Sequence, residues 1–439
     1  MEQPSVINIF WFRRDLRLFD NHGLFRALKE AGNILPLFIF DTNILKRLDN
    51  FRDARVEFIY REVEHLKREL EKMHSTLLVY YGEPEDVFSK LSDSYRVGVL
   101  FFNRDYEPYA RKRDEKISFF LKGKGVQVRT FKDQVIFEPG EILKTDGKPY
   151  VVYTPYMRKW MERLAETGTG NYPSEKYLKR LASHRPAGMP SLREMGFTAV
   201  SLGFPSREPC ESLIRQYHLY RDYPAMEGTS RLSIHFRFGT VSIRQWVERA
   251  AAWNGKFLEE LIWREFYQMI LWHFPGVVDH AFRPEYDMIP WRNDEREFDA
   301  WCRGTTGYPL VDAGMRQLLA TGFMHNRVRM ITAGFLTKLL LIDWRWGEAW
   351  FAGHLLDYEL SSNNGGWQWA AGSGCDAAPW FRIFNPFLQQ KKFDSGNEYV
   401  KKWIPEFGTE SYPGPLVDYR KARERAIQVY RQALAERKG

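Results

Sequence analysis

Along the first 131 residues, short apolar runs alternate with amphipathic stretches. The runs at 7–12, 34–40, 77–81, 97–102 and 126–131 are bounded by polar turns and have the length of buried strands. Between them, Val56, Ile59, Tyr60, Val63, Leu66 and Leu70 recur at helical spacing within 54–73. This alternation predicts an α/β domain built on a doubly wound parallel sheet. Its first turn, Arg13-Arg14-Asp15-Leu16-Arg17, has none of the glycines of a dinucleotide fingerprint, although a small ligand can still bind at the carboxyl ends of the strands.

From 132 to 205 the periodicity weakens and turn formers accumulate, as in Pro139-Gly140, Gly147-Lys148-Pro149 and Gly168-Thr169-Gly170. A connector lying over the surface is expected. From 206 onward the pattern becomes helical, with apolar stripes at 258–272, 311–321, 327–341 and 348–360. The expected organisation is therefore an α/β domain over 1–131, a connector over 132–205 and an all-α domain over 206–439.

Composition sharpens this division. The 439 residues exceed the ~150 expected of one domain, and 64 Lys and Arg against 56 Asp and Glu leave a net charge of +8, which permits an anionic partner without requiring one. Of 15 tryptophans, only Trp11 and Trp160 precede residue 240. Core packing alone rarely uses so much indole in one half of a chain. Cys210, Cys302 and Cys375 are far apart and none has ligand spacing, which argues against disulfides and a metal site. No apolar run has the length of a membrane span, so a cytoplasmic protein is expected.

Three segments of the helical half combine residues that a packed core would not choose. In 259–267, Glu260, Trp263, Arg264 and Tyr267 fall on one helical face, either as a solvated face with a Glu260–Arg264 pair or as a working surface. In Gly322-Phe323-Met324-His325-Asn326-Arg327-Val328-Arg329-Met330, Asn326 and Met330 share a face at a helix start, where Asn326 can cap and Met330 can fill core. Between Asp357 and Trp369 lie acids, two amides (Asn363, Asn364), Gly365-Gly366 and two indoles. A turn at the glycines would leave the acids and indoles unexplained. Gly228-Thr229-Ser230-Arg231-Leu232-Ser233 has the groups to hold a phosphate, or else a helix cap.

Together with Asp20-Asn21 and Phe381-Arg382-Ile383-Phe384-Asn385-Pro386, these segments resemble the photolyase and cryptochrome family over nearly the whole chain. The Trp-Arg-Glu-Phe run from Trp263, the His325–Met330 run and the Asn363-Asn364 doublet are similar to class I photolyases acting on cyclobutane pyrimidine dimers. The resemblance implies an N-terminal α/β domain, a C-terminal helical domain holding FAD, and UV-damaged DNA as partner of a monomer.

By the same resemblance, Tyr217, Thr229, Ser230, Arg231, Leu232 and Ser233 would hold the flavin's phosphates and sugars. Phe257, Arg264, Asp357, Glu359, Arg329 and Asn363 would line its ring system, with Asn363 at N5 and Arg329 paired to Asp357. Trp263 and Trp369 would stack on the flipped pyrimidines, an interaction worth ~1–3 kcal/mol per base in single-stranded sites. Glu260 would hydrogen-bond a pyrimidine, Asn326 would bridge flavin and lesion, Met330 would pack on the dimer, and Arg221, Arg327 and Gln389 would meet DNA. Trp367, Trp344 and Trp291 correspond to the family's electron relay from flavin to surface.

Departures from the family pattern matter as well. Phe257 replaces a tryptophan, and Glu359 stands where an aspartate is usual. The Asn-Glu pair that holds a folate antenna in some relatives falls here at Tyr109 and Ala110. Arg55, Asp105 and Glu107 look more like contacts to a deazaflavin or flavin antenna than to methenyltetrahydrofolate, with an empty pocket as the alternative. A cryptochrome-like blue-light receptor without repair activity is the competing reading. Repair of the 6-4 photoproduct is disfavoured, because His325 belongs to the His-Asn-Arg pattern of dimer repair.

Overall fold

The structure is a computed structural model that describes residues 6–200 and 202–435. Five parallel strands, β1 (Ile7–Phe12), β2 (Ile34–Asp41), β3 (Leu78–Gly82), β4 (Val97–Asn103) and β5 (Gln127–Phe131), form one sheet in the order β3-β2-β1-β4-β5. Each expected strand is present, its ends moved by a residue at most. Phe10 is in register with Pro36 and Phe12 with Phe38. Every position of β2 is buried, as a central strand covered on both faces requires. Ile9, Trp11, Leu35, Leu37, Leu100 and Phe102 meet Val87, Phe88, Ile117 and Leu121 of the flanking helices in one core.

Strand order reverses between β1 and β4, which puts the turn after β1 at the switch point of the sheet. That turn is organised by charge instead of glycine. Arg17 and Arg244 each donate to Asp133 at 2.7 Å, and Arg244 also holds Asp20 at 2.9 Å. Burial opposes ionisation of Asp133, yet the two guanidiniums lower its pKa to about 2.

The chain divides into two compact units, and neither is one continuous stretch. The first gathers residues through Glu141 with Trp160–Glu208 and Arg231–Ala252; the second gathers Ile142–Lys159, Pro209–Ser230 and everything from Trp253. The second is helical, around a core that includes Trp301, Tyr308, Leu336, Trp344, Phe351 and Trp367. Among the described residues no helix is long and apolar enough to cross a membrane.

Three local expectations change, and the alternative of a glycine turn falls away. The stretch expected to be a surface connector contains the helix Tyr153–Thr167, in which Tyr153, Tyr156 and Trp160 are buried. The stripe at 327–341 is the helix Asn326–Gly334 followed by a π-helical turn, Phe335–Leu339. The stripe at 348–360 breaks after the helix Trp344–His354, because Leu355 turns into extended backbone while remaining buried, which preserves the apolar pattern across the break. Gly365-Gly366 is not a turn. Both residues lie inside the helix Leu360–Ala371, where a Cβ on Gly365 would come within 2.2 Å of the Tyr267 ring. The glycine is needed for close helix packing.

Candidate functional site

The helix Gly255–His273 starts cleanly because Asn254 accepts from the amides of Lys256 and Phe257. The charged groups of its mixed face find partners on other elements, while Trp263 and Tyr267 meet with ring centroids 5.5 Å apart and planes 34° from parallel. Arg264 reaches Glu359 at 2.9 Å, and Glu260 forms an ion pair with Arg221. Glu359, buried at the entry to Leu360–Ala371, also accepts from Gln268 at 3.0 Å. The extra methylene relative to aspartate thus serves a carboxylate that meets two donors on the neighbouring helix. The Arg221 guanidinium lies 5.4 Å from the centre of the Tyr217 ring, and Phe257 meets that ring edge-on at 5.2 Å.

At the next helix start the cap is His325, not Asn326. Its Nδ1 accepts from the Arg327 amide, and burial lowers its pKa to about 4, so the ring is neutral and able to accept. Asn326 is thereby left exposed at the first helical position. Arg327 pairs with Asp222 at 2.7 Å, and its Nη1 lies 3.9 Å from the sulfur of Met330. Arg329 meets both oxygens of Asp357, at 3.0 and 3.1 Å.

On Leu360–Ala371 the two adjacent amides diverge. Asn364 is buried and donates to the Val277 carbonyl at 2.8 Å, a structural role. Asn363 donates to Oε1 of Glu348 at 2.7 Å, leaving its own carbonyl oxygen as the end to offer a ligand. Trp367 is buried, and its indole N–H has no hydrogen-bond partner. Trp344 is buried in the same core, and half-buried Trp291 and Trp369 pack against it. A glycine opens this arrangement too, since a Cβ on Gly347 would fall 2.1 Å from the Trp367 ring.

Trp263 has a neighbour that sequence reasoning missed. The Tyr153 ring stacks on it with centroids 3.6 Å apart and planes 8° from parallel. Glu348 and Asp222 were missed as well. The signal for Tyr153 was present in the spacing of Tyr153, Tyr156 and Trp160, which is helical. Glu348 and Asp222 left no trace, because only folding brings them to Asn363 and Arg327.

The remaining expected residues are more dispersed. Tyr217, Thr229 and Ser230 belong to the second unit, whereas Arg231, at φ 52°, buried Leu232 and Ser233 belong to the first. Gln389 is half-buried on the helix Pro386–Phe393, followed by exposed Lys391 and Lys392. In the first unit Asp105 and Glu107 both bind Arg14, at 3.2 and 3.1 Å, and Glu107 also binds Arg237 at 2.8 Å. Burial opposes it, but these guanidiniums with Arg13 and Arg113 hold the Asp105 carboxyl below the ordinary range. Arg55 pairs with Asp53, the cap of its own helix, and Tyr109 donates to Asp41 at 2.7 Å.

The chain is similar to known proteins over nearly its whole length. Residues 8–174 match the family model described as DNA photolyase, and residues 257–409 match the FAD binding domain of DNA photolyase. A deoxyribodipyrimidine photo-lyase from Synechococcus is 37% identical, over 97% of each chain. A bacterial class III photolyase from Agrobacterium tumefaciens superposes with a TM-score of 0.86 at 33% identity, over 99% of this chain and 98% of that one. An archaeal photolyase from Sulfolobus tokodaii with two FAD molecules gives a TM-score of 0.80 at 33% identity, over 97% of this chain and all of that one.

Proposed function

The chain belongs to the DNA photolyase family, and we propose that it is a light-driven, FAD-dependent lyase that splits cyclobutane pyrimidine dimers in DNA. The observation that carries this reading is that an acid and an indole (Glu260, Trp263) and two amides (Asn326, Asn363) lie on three helices of one helical unit, with Leu360–Ala371 packed against both Gly255–His273 and Asn326–Gly334. The residues fit a flavin. Arg329–Asp357 is an internally neutral pair, Asn363 has a carbonyl oxygen to offer, and the unpartnered N–H of buried Trp367 suits the wall of a cofactor site.

FAD held there would, when reduced and excited by blue or near-UV light, supply the electron that opens the cyclobutane ring. The chain's part is to hold and to exclude. Asn363 would stand at N5 of the ring system, Arg329 and Asp357 would balance charge beside it, and Phe257, Arg264 and Glu359 would close its edge. Tyr217, Thr229, Ser230, Arg231, Leu232 and Ser233 hold the phosphates and sugars. Trp263 and Trp369 are the platforms for the flipped bases, Glu260 bonds a pyrimidine, Asn326 bridges lesion and flavin, and Met330 packs on the dimer. Arg221, Arg327 and Gln389 meet the DNA near the flipped lesion. No nucleophile or acid–base pair is required, because light provides the driving force.

The His325–Met330 run and the Asn363-Asn364 doublet support class I, with class III as the alternative raised by the Agrobacterium tumefaciens structure. An antenna of deazaflavin or flavin type near Arg55, Asp105 and Glu107 is supported by Tyr109 and Ala110 in place of a folate-binding pair and by the second FAD of the Sulfolobus tokodaii protein. The protein acts as a cytoplasmic monomer. Acid extraction followed by chromatography tests the antenna, and FAD at one equivalent as the sole chromophore would overturn it.

The function itself is tested by illuminating anaerobically reduced protein with an oligonucleotide containing one thymine dimer. A light-dependent return of pyrimidine absorbance is expected. Its absence, with FAD bound, would favour a light receptor that does not repair. Trp367→Phe should impair photoreduction while chemically reduced protein still repairs, whereas Glu260→Ala should lower repair yield with flavin retained. Equal loss of repair in both after chemical reduction would refute these roles.

A further inference from the structure

Trp263 and Tyr153 form a parallel stack, 3.6 Å between centroids and 8° between planes. Aromatic pairs packed only for burial prefer offset or edge-on contacts, as Trp263 itself makes with Phe266 at 5.6 Å and 85°. The parallel geometry is set from Tyr153, which is held at its hydroxyl, its backbone amide and its ring. Its hydroxyl donates to the Glu259 carbonyl at 2.8 Å, its backbone amide donates to Asp376 at 3.1 Å, and its ring meets Phe266 edge-on at 5.8 Å. Tyr153 is buried, while Trp263 is half-buried. One face of the indole is therefore covered by a fixed ring, and an incoming base can stack only on the other.

From this we infer that Tyr153 is a positioning residue that sets the plane of Trp263 and thereby makes the site selective for the bent, splayed bases of a pyrimidine dimer over planar undamaged bases. The inference rests on Trp263 being a base platform, as proposed above. An indole on one turn of helix has freedom about two side-chain torsions; backing it with a fixed ring removes that freedom before the ligand arrives, so less ordering is needed on binding. A dimer whose rings are joined by two bonds between saturated carbons holds those rings at an angle, and a platform of set orientation can match one of them. A freely turning Trp263 would accept flat bases as readily.

The test compares Tyr153→Ala, Tyr153→Phe and Trp263→Ala in the FAD-loaded protein, with affinity measured for an oligonucleotide carrying one thymine dimer and for its undamaged copy. Tyr153→Ala is expected to weaken dimer binding about tenfold with little change on undamaged DNA, to shift Trp263 fluorescence and to leave flavin content and photoreduction unchanged. Tyr153→Phe keeps the ring and should restore most of the selectivity. If Trp263→Ala loses selectivity and Tyr153→Ala does not, the positioning role is wrong and the platform stands. If Trp263→Ala keeps full selectivity, the platform reading fails first. Parallel loss of flavin and of affinity for both DNAs in Tyr153→Ala, not rescued by phenylalanine, would show a structural role and overturn the inference.

Discussion

The side-chain amide of Asn363 donates to Oε1 of Glu348 at 2.7 Å and to the Glu348 backbone carbonyl at 3.1 Å. Burial raises the Glu348 pKa, with the Asn363 bond opposing. The pair fixes which end of the amide faces away from the helix Trp344–His354. Glu348→Leu removes the side-chain acceptor and should lower the yield of fully reduced flavin on illumination severalfold, with flavin still bound. Glu348→Gln, which retains a carbonyl acceptor, should stay near the parent. Absorbance spectra recorded during illumination would distinguish the two.

Arg221 is ion-paired with Glu260, so on the proposed reading that Arg221 meets DNA its guanidinium would be shared between that carboxylate and a phosphate. Replacing Arg221 by Ala should weaken dimer binding about tenfold at low salt and reduce the slope of log K against log salt by about one. A salt titration of binding checks both, and an unchanged slope would exclude a phosphate contact.

His235 is buried between the Thr240 hydroxyl at 2.7 Å and the Pro205 carbonyl at 3.0 Å. Burial lowers its pKa from 6.5 to about 4, with the Pro205 bond opposing. A histidine held neutral in the folded state stabilises above the unfolded pKa, and that contribution fades as pH falls from 6.5 towards 4. Its full size is about 3 kcal/mol. His235→Gln should be less stable than the parent at neutral pH yet lose less stability on acidification. Urea unfolding midpoints across this window would show the two curves converging.

Gly347 lies where a methyl group would collide with the Trp367 ring. Gly347→Ala gains about 1 kcal/mol of helix propensity but should lose about 1–3 kcal/mol to overpacking. The expected result is a lower melting temperature and slower photoreduction, with affinity for dimer DNA retained. Thermal denaturation and photoreduction kinetics on the same sample test both halves.

Much of the fold was legible in the order of residues. Short apolar runs mark all five strands, because a strand covered by helices on its faces leaves a local imprint. The residue types of the site were equally visible, since the acid and indole of Glu260 and Trp263, the amide of Asn363 and the guanidinium of Arg329 are rare choices for core. The boundary between Trp344–His354 and Leu360–Ala371 was not, because Leu355 and Leu356 stay buried through the break and periodicity registers burial, not backbone direction.

Pairing was decided by folding alone. Local spacing offered Glu260 to Arg264, yet Arg264 bonds Glu359, 95 residues later, and Glu260 bonds Arg221, 39 residues earlier. A charge at i, i+4 is one neighbour among several once helices pack, and a buried carboxylate such as Glu359 goes to the donors that surround it. The same holds for Tyr153. Its helical spacing with Tyr156 and Trp160 could be read along the chain, but its place against Trp263 could not, because a stack between rings 110 residues apart exists only when two helices bring their faces together.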